Sequence, residues 1–178
     1  MRLPTESELV QAITAATRAA VDALFECNPG HRFYYVSLTT TGEAHSPVLS
    51  AWSHEALAGE AARHPNRSDA ACDLKWSYAD SPFYGFGEQH FACVRGLFEA
   101  RREAHGTDFK HEFDLRLRAM EAAVRVLDQE GLFSRNWDRH SIVVNVEVMP
   151  PDATNVERAI RLNPPAALAD WLSEAAEL

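Results

Sequence analysis

Apolar residues recur at helical spacing over the start of the chain. Leu9, Val10, Ile13, Ala16, Ala20, Val21 and Leu24 fall on one face, the three-to-four spacing of an amphipathic helix. Thr5 and Glu8 form a capping box ahead of it, with Leu3 placed as a hydrophobic staple. A helix is predicted from Glu6 to Glu26, stopped by Asn28-Pro29-Gly30. The period then changes. Phe33 to Thr40 is aromatic and β-branched, and Ser46 to Trp52 follows the turn at Thr41-Gly42-Glu43, so an antiparallel hairpin is predicted. Pro47 marks an edge or strand entry. Ser53 caps a short helix over His54 to Arg63, ended by Pro65-Asn66.

After a loop over residues 64–72, Asp73 to Ser77 reads as a third strand, and residues 79–87 mix turn formers with aromatics. Two helices are predicted next. Glu88 to Arg102 sets Phe91, Val94, Leu97 and Phe98 on one face; Asp108 to Gln129 does the same with Phe113, Leu117, Met120, Val124 and Leu127. His105-Gly106-Thr107 breaks the first and Gly131 closes the second. Ser141 to Met149 is the clearest strand: Ile142, Val144, Val146 and Val148 alternate with Val143, Asn145 and Glu147, which predicts a second face that is half wet. Pro150-Pro151 ends it. Helices follow over Thr154 to Arg161 and beyond Pro164-Pro165, the last burying Leu168, Trp171 and Leu172. Asn163-Pro164-Pro165 reads as a helix stop and restart.

The order α-β-β-α-β-α-α-β-α-α has no sustained βαβ alternation, which argues against a doubly wound parallel sheet. The expected fold class is α+β: one mainly antiparallel sheet of about four strands with helices packed on it. The chain has 178 residues, a length that suits a single globular domain over 1–178 with a core large enough to need no disulfide or metal.

Charge narrows the partners. There are 17 basic and 26 acidic side chains, for a net charge of −9. Both ends are acidic, with 3 basic and 7 acidic groups in residues 1–60 and 5 and 10 in residues 121–178, while residues 61–120 balance at 9 and 9. A nucleic-acid partner is disfavoured by this field, and a basic protein partner is favoured; solubility alone also explains it. Arginine outnumbers lysine by 15 to 2, a bias typical of GC-rich bacterial coding. Cys27, Cys72 and Cys93 are odd in number with no CxxC pair, which points to reduced thiols in a cytoplasm, each expected as a small buried residue. No signal peptide and no run near the ~20 apolar residues of a membrane span is seen, so no membrane is expected.

The segment from Leu74 to Phe86 concentrates Trp76, Tyr78, Phe83, Tyr84 and Phe86 within eleven residues, with Lys75 and Asp80 among them. Clustered aromatics with a few polar groups line pockets and protein-binding patches. The same residues also fit a core reading, with Trp76 and Phe83 inside and Asp80 or Ser81 capping a turn at Pro82. Elsewhere the chemistry is sparse. Asp108 and His111 share a helical face and could be two metal ligands, but a solvated first turn, with Asp108 at the helix N-terminus, is the simpler reading. Cys93 and His90 are three apart, but a buried inert cysteine is the simpler reading. There is no HExxH, no GxSxG and no phosphate loop; Gly85-Phe86-Gly87 lacks the remaining motif. Catalytic residues: none; metal: none; cofactors: none are expected.

Three stretches together resemble a bacterial domain family of unknown function. They are the aromatic strand Phe33-Tyr34-Tyr35-Val36-Ser37-Leu38, a Lys/Arg-Trp-Ser-x-Ala-Asp motif at Lys75-Trp76-Ser77-Tyr78-Ala79-Asp80, and an Arg-Leu-Asn-Pro-Pro element at Arg161 to Pro165. The resemblance covers nearly the whole chain and implies no activity or cofactor. What it implies is a small acidic cytoplasmic protein of the sort that serves as an immunity partner of a secreted toxin. The expected function is therefore a non-enzymatic protein-binding module, of immunity type, contacting a basic toxin or similar partner through Trp52, Lys75, Trp76, Tyr78, Asp80, Phe83 and Tyr84. The alternative is a small enzyme or small-ligand binder with a pocket around Trp76 to Asp80, using Lys75, Asp80, Glu88 and His90. A structural homo-oligomer is a third reading; the sequence leaves the oligomeric state open.

Overall fold

The structure, a computed structural model, describes residues 2–104 and 108–175; the predicted break at residues 105–107 lies outside them. Helix α1 (Glu6–Cys27) opens the chain. Its capping box is complete, since Thr5 Oγ1 accepts from Glu8 N and the Glu8 carboxylate accepts from Thr5 N at 2.7 Å. Leu9, Ile13, Ala20, Val21 and Leu24 are fully buried along its apolar stripe. Strands β1 (Phe33–Thr41) and β2 (Val48–Ser53) form the expected antiparallel hairpin. Ser53 Oγ then caps α2 (His54–Ala61) by accepting from Ala56 N at 3.0 Å.

The third expected strand does not form. Asn66 caps a helix, α3 (Arg67–Leu74), and residues 75–77 turn out of it. Asp73 to Ser77 has no strict alternation, and a good cap two turns upstream sets its conformation. A 3-10 turn over Glu88–Phe91 leads into α4 (Ala92–Ala104); α5 (Phe109–Gln129) follows with Asp108 as its cap. Gly131, at φ 76°, turns the chain out of α5. Strand β3 (Val143–Met149), α6 (Ala153–Leu162) and α7 (Pro165–Glu174) complete the chain, and the helix restart at Pro164-Pro165 is as the sequence predicts.

The sheet is three-stranded and mixed, in the order β2-β1-β3, with β1 antiparallel to β2 and parallel to β3. This corrects the expected four-stranded, mainly antiparallel sheet. A parallel pair needs a long crossover, and the run from α2 through α5 supplies one; helices, not alternating βαβ units, make that connection.

One face of the sheet is dry. Val36, Leu38, Leu49, Ala51, Val144, Val146 and Val148 pack there against α1, α4 and α5. The opposite face carries Trp52 and Tyr35 at one end and packs against α6 and α7, with Leu57 and Leu74 of α2 and α3 closing the side. A bulge between Phe33 and Tyr35 sends Tyr34 and Tyr35 to this second face together.

The face predicted to be half wet is covered. Val143, Asn145 and Glu147 are all buried, at 2%, 0% and 7% exposure, because α6 lies along β3. Helix α6 also closes the free edge of β3. The Asn163 side chain pairs with both Val144 N (2.8 Å) and Val144 O (2.7 Å), Arg158 Nε donates to Val146 O (2.7 Å), and the Asn155 side chain pairs with Val148 N (2.8 Å) and O (3.0 Å). The fit is geometric: the helix rises about 12 Å between Asn155 and Asn163, and the strand about 13 Å between Val144 and Val148. Three side chains thus stand in for a fourth strand on an edge otherwise open to pairing. The free edge of β2 is closed differently, by the segment after α3. Gly85 N donates to Leu49 O at 2.8 Å and Ser81 Oγ to Ala51 O.

Candidate functional site

The aromatic segment divides between interior and surface. Trp52 is fully buried, and its indole Nε1 donates to Ser77 O at 2.6 Å; it anchors the segment from beneath and lines no surface. Ser50 Oγ does the same to Tyr78 O at 2.7 Å. Phe83 and Phe86 pack against the dry core, with Phe83 5.3 Å from the Phe33 ring. Gly87, at φ 70°, passes so close to α1 that a Cβ there would sit 2.8 Å from Ala20 Cβ; this glycine serves packing and not a phosphate. Tyr84 is 50% exposed, and its ring lies 5.8 Å from that of half-buried Tyr78. Asp80 is exposed and accepts from Ser77 Oγ at 2.5 Å.

Trp76 is half-buried between the two halves of this arrangement. Its ring meets Tyr34 and Tyr35 edge-on at 5.3 and 5.8 Å, and its Nε1 donates to Glu174 of α7 at 2.8 Å. Lys75 Nζ lies 2.7 Å from the same Glu174 carboxylate and 5.0 Å from the Trp76 ring centre. The hydrogen bonds from Lys75 and then Trp76 hold the Glu174 carboxyl below its ordinary range. Glu88 and His90 lie on the 3-10 turn and join neither Lys75 nor Asp80 in any contact among the described residues. The three cysteines, expected inside, are exposed.

A pocket of about 230 Å³ opens beside Trp76. Trp76, Tyr78 and Trp171 form its aromatic walls, Met149 and Asp152 its rim, and Glu147 its base. Glu147 follows from the register of the sheet: Thr39 pairs with it, and Ser37 pairs with Asn145 and Ser50, so small or polar residues floor the second face. Its carboxylate accepts from Asn145 Nδ2 at 3.2 Å and forms no ion pair among the described residues. Burial pushes the Glu147 carboxyl above the ordinary carboxylate range; the Tyr35 hydroxyl, Asn145 and the charge of Arg158 only partly oppose this. The Tyr35 hydroxyl is buried near that carboxylate yet closes no hydrogen bond of ordinary geometry. Burial, and then the Glu147 charge, raises the phenol as well.

Of the sequence-predicted contacts, Trp76 and Tyr78 line this pocket, Lys75 stands behind Trp76, and Asp80 and Tyr84 continue the surface. Glu147, Tyr35 and Trp171 were not among the site residues read from the sequence. The one available signal was Glu147 on the face of a strongly apolar strand, which reads as solvent exposure until α6 and α7 are placed over it. A second cavity, of about 290 Å³, lies on the other side of Trp76, with Tyr34, His54, Lys75, His140 and Asp170 in its wall. Burial, with the nearby Arg32, holds His54 below the ordinary histidine range.

Among the described residues no helix is long and apolar enough to cross a membrane. Neither a curated protein nor a solved structure matches the chain. A sequence model of one family does match, over residues 13–164. That span takes in the aromatic strand, the tryptophan segment and Glu147, and the chain therefore belongs to the family described as a domain of unknown function, DUF4303.

Proposed function

We propose that this protein is a non-enzymatic binding module that captures a basic protein partner, seating a lysine or arginine side chain of that partner in the pocket above Glu147. One observation carries the reading: a buried carboxylate without an ion pair sits under three aromatic rings. A carboxylate in that position is costly alone and favourable once a cation arrives. Aromatic walls add cation–π attraction that grows as water is excluded. The exposed Tyr84, Asp80 and the acidic side chains of α7 form a rim suited to the same partner, and the net charge of −9 would speed its approach.

A bacterial cytoplasm as the setting, the Lys75–Asp80 motif as a family signature, and a toxin neutralised by this protein belong to the same proposal. Their support is the arginine bias, three cysteines that form no disulfide, and the resemblance. A second reading, a small-ligand binder around Trp76 to Asp80, is favoured by the enclosed base of the pocket. Its ligand would be a small amine, because the same carboxylate and rings would hold it.

The test is a tryptophan-fluorescence titration with tri-lysine and with a neutral tri-glycine control, alongside affinity purification from the source cells. Saturable quenching by tri-lysine, lost in Glu147→Gln and in Trp76→Ala while both variants still melt cooperatively, is the expected result. Equal responses to the two peptides, or an undiminished response in Glu147→Gln, would overturn the proposal.

A further inference from the structure

In a chain of net charge −9, one cavity is cationic. It has a volume of about 260 Å³, and its walls include His45, Ser46, Arg95, Phe98, Arg102 and Arg116. It shares no residue with the pocket above Glu147. Arg95, Phe98 and Arg102 lie at helical positions i, i+3 and i+7 of α4, so one face of that helix forms a wall. His45 and Ser46 follow the β1–β2 turn, and Arg116 reaches in from α5.

Three features set the cavity apart. Arg116 is 5% exposed; its Nη1 donates to Ala44 O at 3.1 Å, its Nη2 to Phe98 O at 2.8 Å, and its guanidinium lies 4.6 Å from the Phe98 ring centre. Among the described residues its Nε makes no hydrogen bond, and it forms an ion pair with Glu112 Oε2 at 3.6 Å. The hydroxyl of Ser46 is sealed from water and has no hydrogen-bond partner among the described residues either. Arg95 and Arg102 are exposed, and neither joins a carboxylate among the described residues; Arg95 Nη1 donates to Glu88 O at 3.4 Å.

The negative groups nearby do not fill it. Glu99 is the carboxylate in the wall. Glu112 lies behind Arg116 and is gripped by Arg101, and His45 is held by Thr41 at 2.9 Å and Glu43 at 3.1 Å. Arg95, Arg102 and Arg116 thus line a cavity whose wall carries one carboxylate, Glu99; like charges held together repel one another, and buried donors without acceptors cost free energy. An oxyanion offers acceptors in the planar geometry that arginine matches.

We infer that this cavity is a binding site for a small oxyanion, the carboxylate or phosphate group of a ligand. Arg95 and Arg102 grip it at the mouth, Ser46 and Arg116 supply donors at the base, and Phe98 meets the apolar part of the ligand. The site stands independently of the function proposed for the Glu147 pocket.

Amide chemical shifts of the whole protein decide it, followed while inorganic phosphate, acetate or chloride is added at constant ionic strength. Saturable shifts at His45, Ser46 and the amides of α4 are expected with phosphate, with acetate or with both, and the stronger of the two names the ligand class. Chloride should give none. The double variant Arg95→Gln/Arg102→Gln alters two exposed side chains and should melt like the parent, with at least a tenfold loss of affinity. Shifts that do not saturate, that are matched by chloride, or that persist in the double variant would overturn the inference.

Discussion

The two faces of the sheet are made from alternate residues of the same three strands, and both are buried, but they are buried in different ways. On one, Val36, Leu38, Leu49, Ala51, Val144, Val146 and Val148 meet the apolar stripes of α1, α4 and α5. On the other, Ser37, Thr39, Ser50, Asn145 and Glu147 are covered just as completely. The first face is held by area removed from water, which needs no particular partner. The second is held by partners: Ser37 Oγ and Thr39 Oγ1 lie 3.2 Å apart, Ser50 ties down Tyr78, and Asn145 meets Glu147 and, at 3.3 Å, Asn155 O. Where partners are fewest, at Glu147, which has Asn145 but no ion pair among the described residues, there is a pocket, with the Tyr35 hydroxyl buried close by. A polar face that is covered without being fully satisfied is where a binding site is best sought.

Substitutions on each face can break this contrast. The largest losses should come from the apolar contacts. Leu38→Ala on the dry face should cost about 2–5 kcal/mol, and Trp52→Ala on the other about 3–5 kcal/mol, measured by urea unfolding. A Trp52→Ala loss below that of a surface change would mean the indole does not anchor the aromatic segment. The edge clamp comes next. Asn163→Ala leaves the N–H and C=O of Val144 buried without partners, at about 1–3 kcal/mol for each group; a neutral result would show that water replaces the amide and that β3 needs no clamp.

Glu147→Gln has a smaller effect with a distinctive pH dependence. The folded protein holds this carboxyl above its ordinary value of 4.5, so between that value and the raised one the native state binds more protons than the unfolded chain. Stability contributed by the protonated form is present below 4.5 and is lost as pH rises through the folded value. The glutamine variant should therefore match the parent in acid and gain on it as pH rises through this window. Melting curves across pH check this, and a gap that closes with rising pH would remove the raised carboxyl. The cation-binding reading adds that lysine affinity rises over the same window. Tyr84→Ala should be smallest, within about 0.5 kcal/mol in stability because the ring is half in water, while it weakens capture of the partner. A large melting shift would place Tyr84 in the core instead.

Much of this fold is legible in the chain. The capping box at Thr5 and Glu8, the stripes of α1 and α5, the hairpin and β3 follow from spacing and local chemistry, and the observed ends fall within a few residues of the expected ones. The exceptions are residues 64–72, expected as loop, and Asp73 to Ser77, expected as strand: α3 (Arg67–Leu74) occupies most of the first and the start of the second, segments too short and irregular for periodicity to choose between helix, strand and loop. The aromatic cluster was legible as a cluster, but its division was not. Phe83 and Phe86 face α1 while Tyr78 and Tyr84 face outward, and that depends on how residues 77–85 lie along the edge of β2.

Sequence by itself determined the capped and strongly periodic elements, α1, α5, the hairpin and β3, because caps and hydrophobic periods act within a few residues of where they stand. Tertiary structure decided what lies against the second face of the sheet, which strand pairs in parallel, and that Glu147 ends under three rings and not in water. Those outcomes depend on contacts between residues far apart in the chain, and a carboxylate on a strand is written the same way whether solvent or another helix comes to cover it.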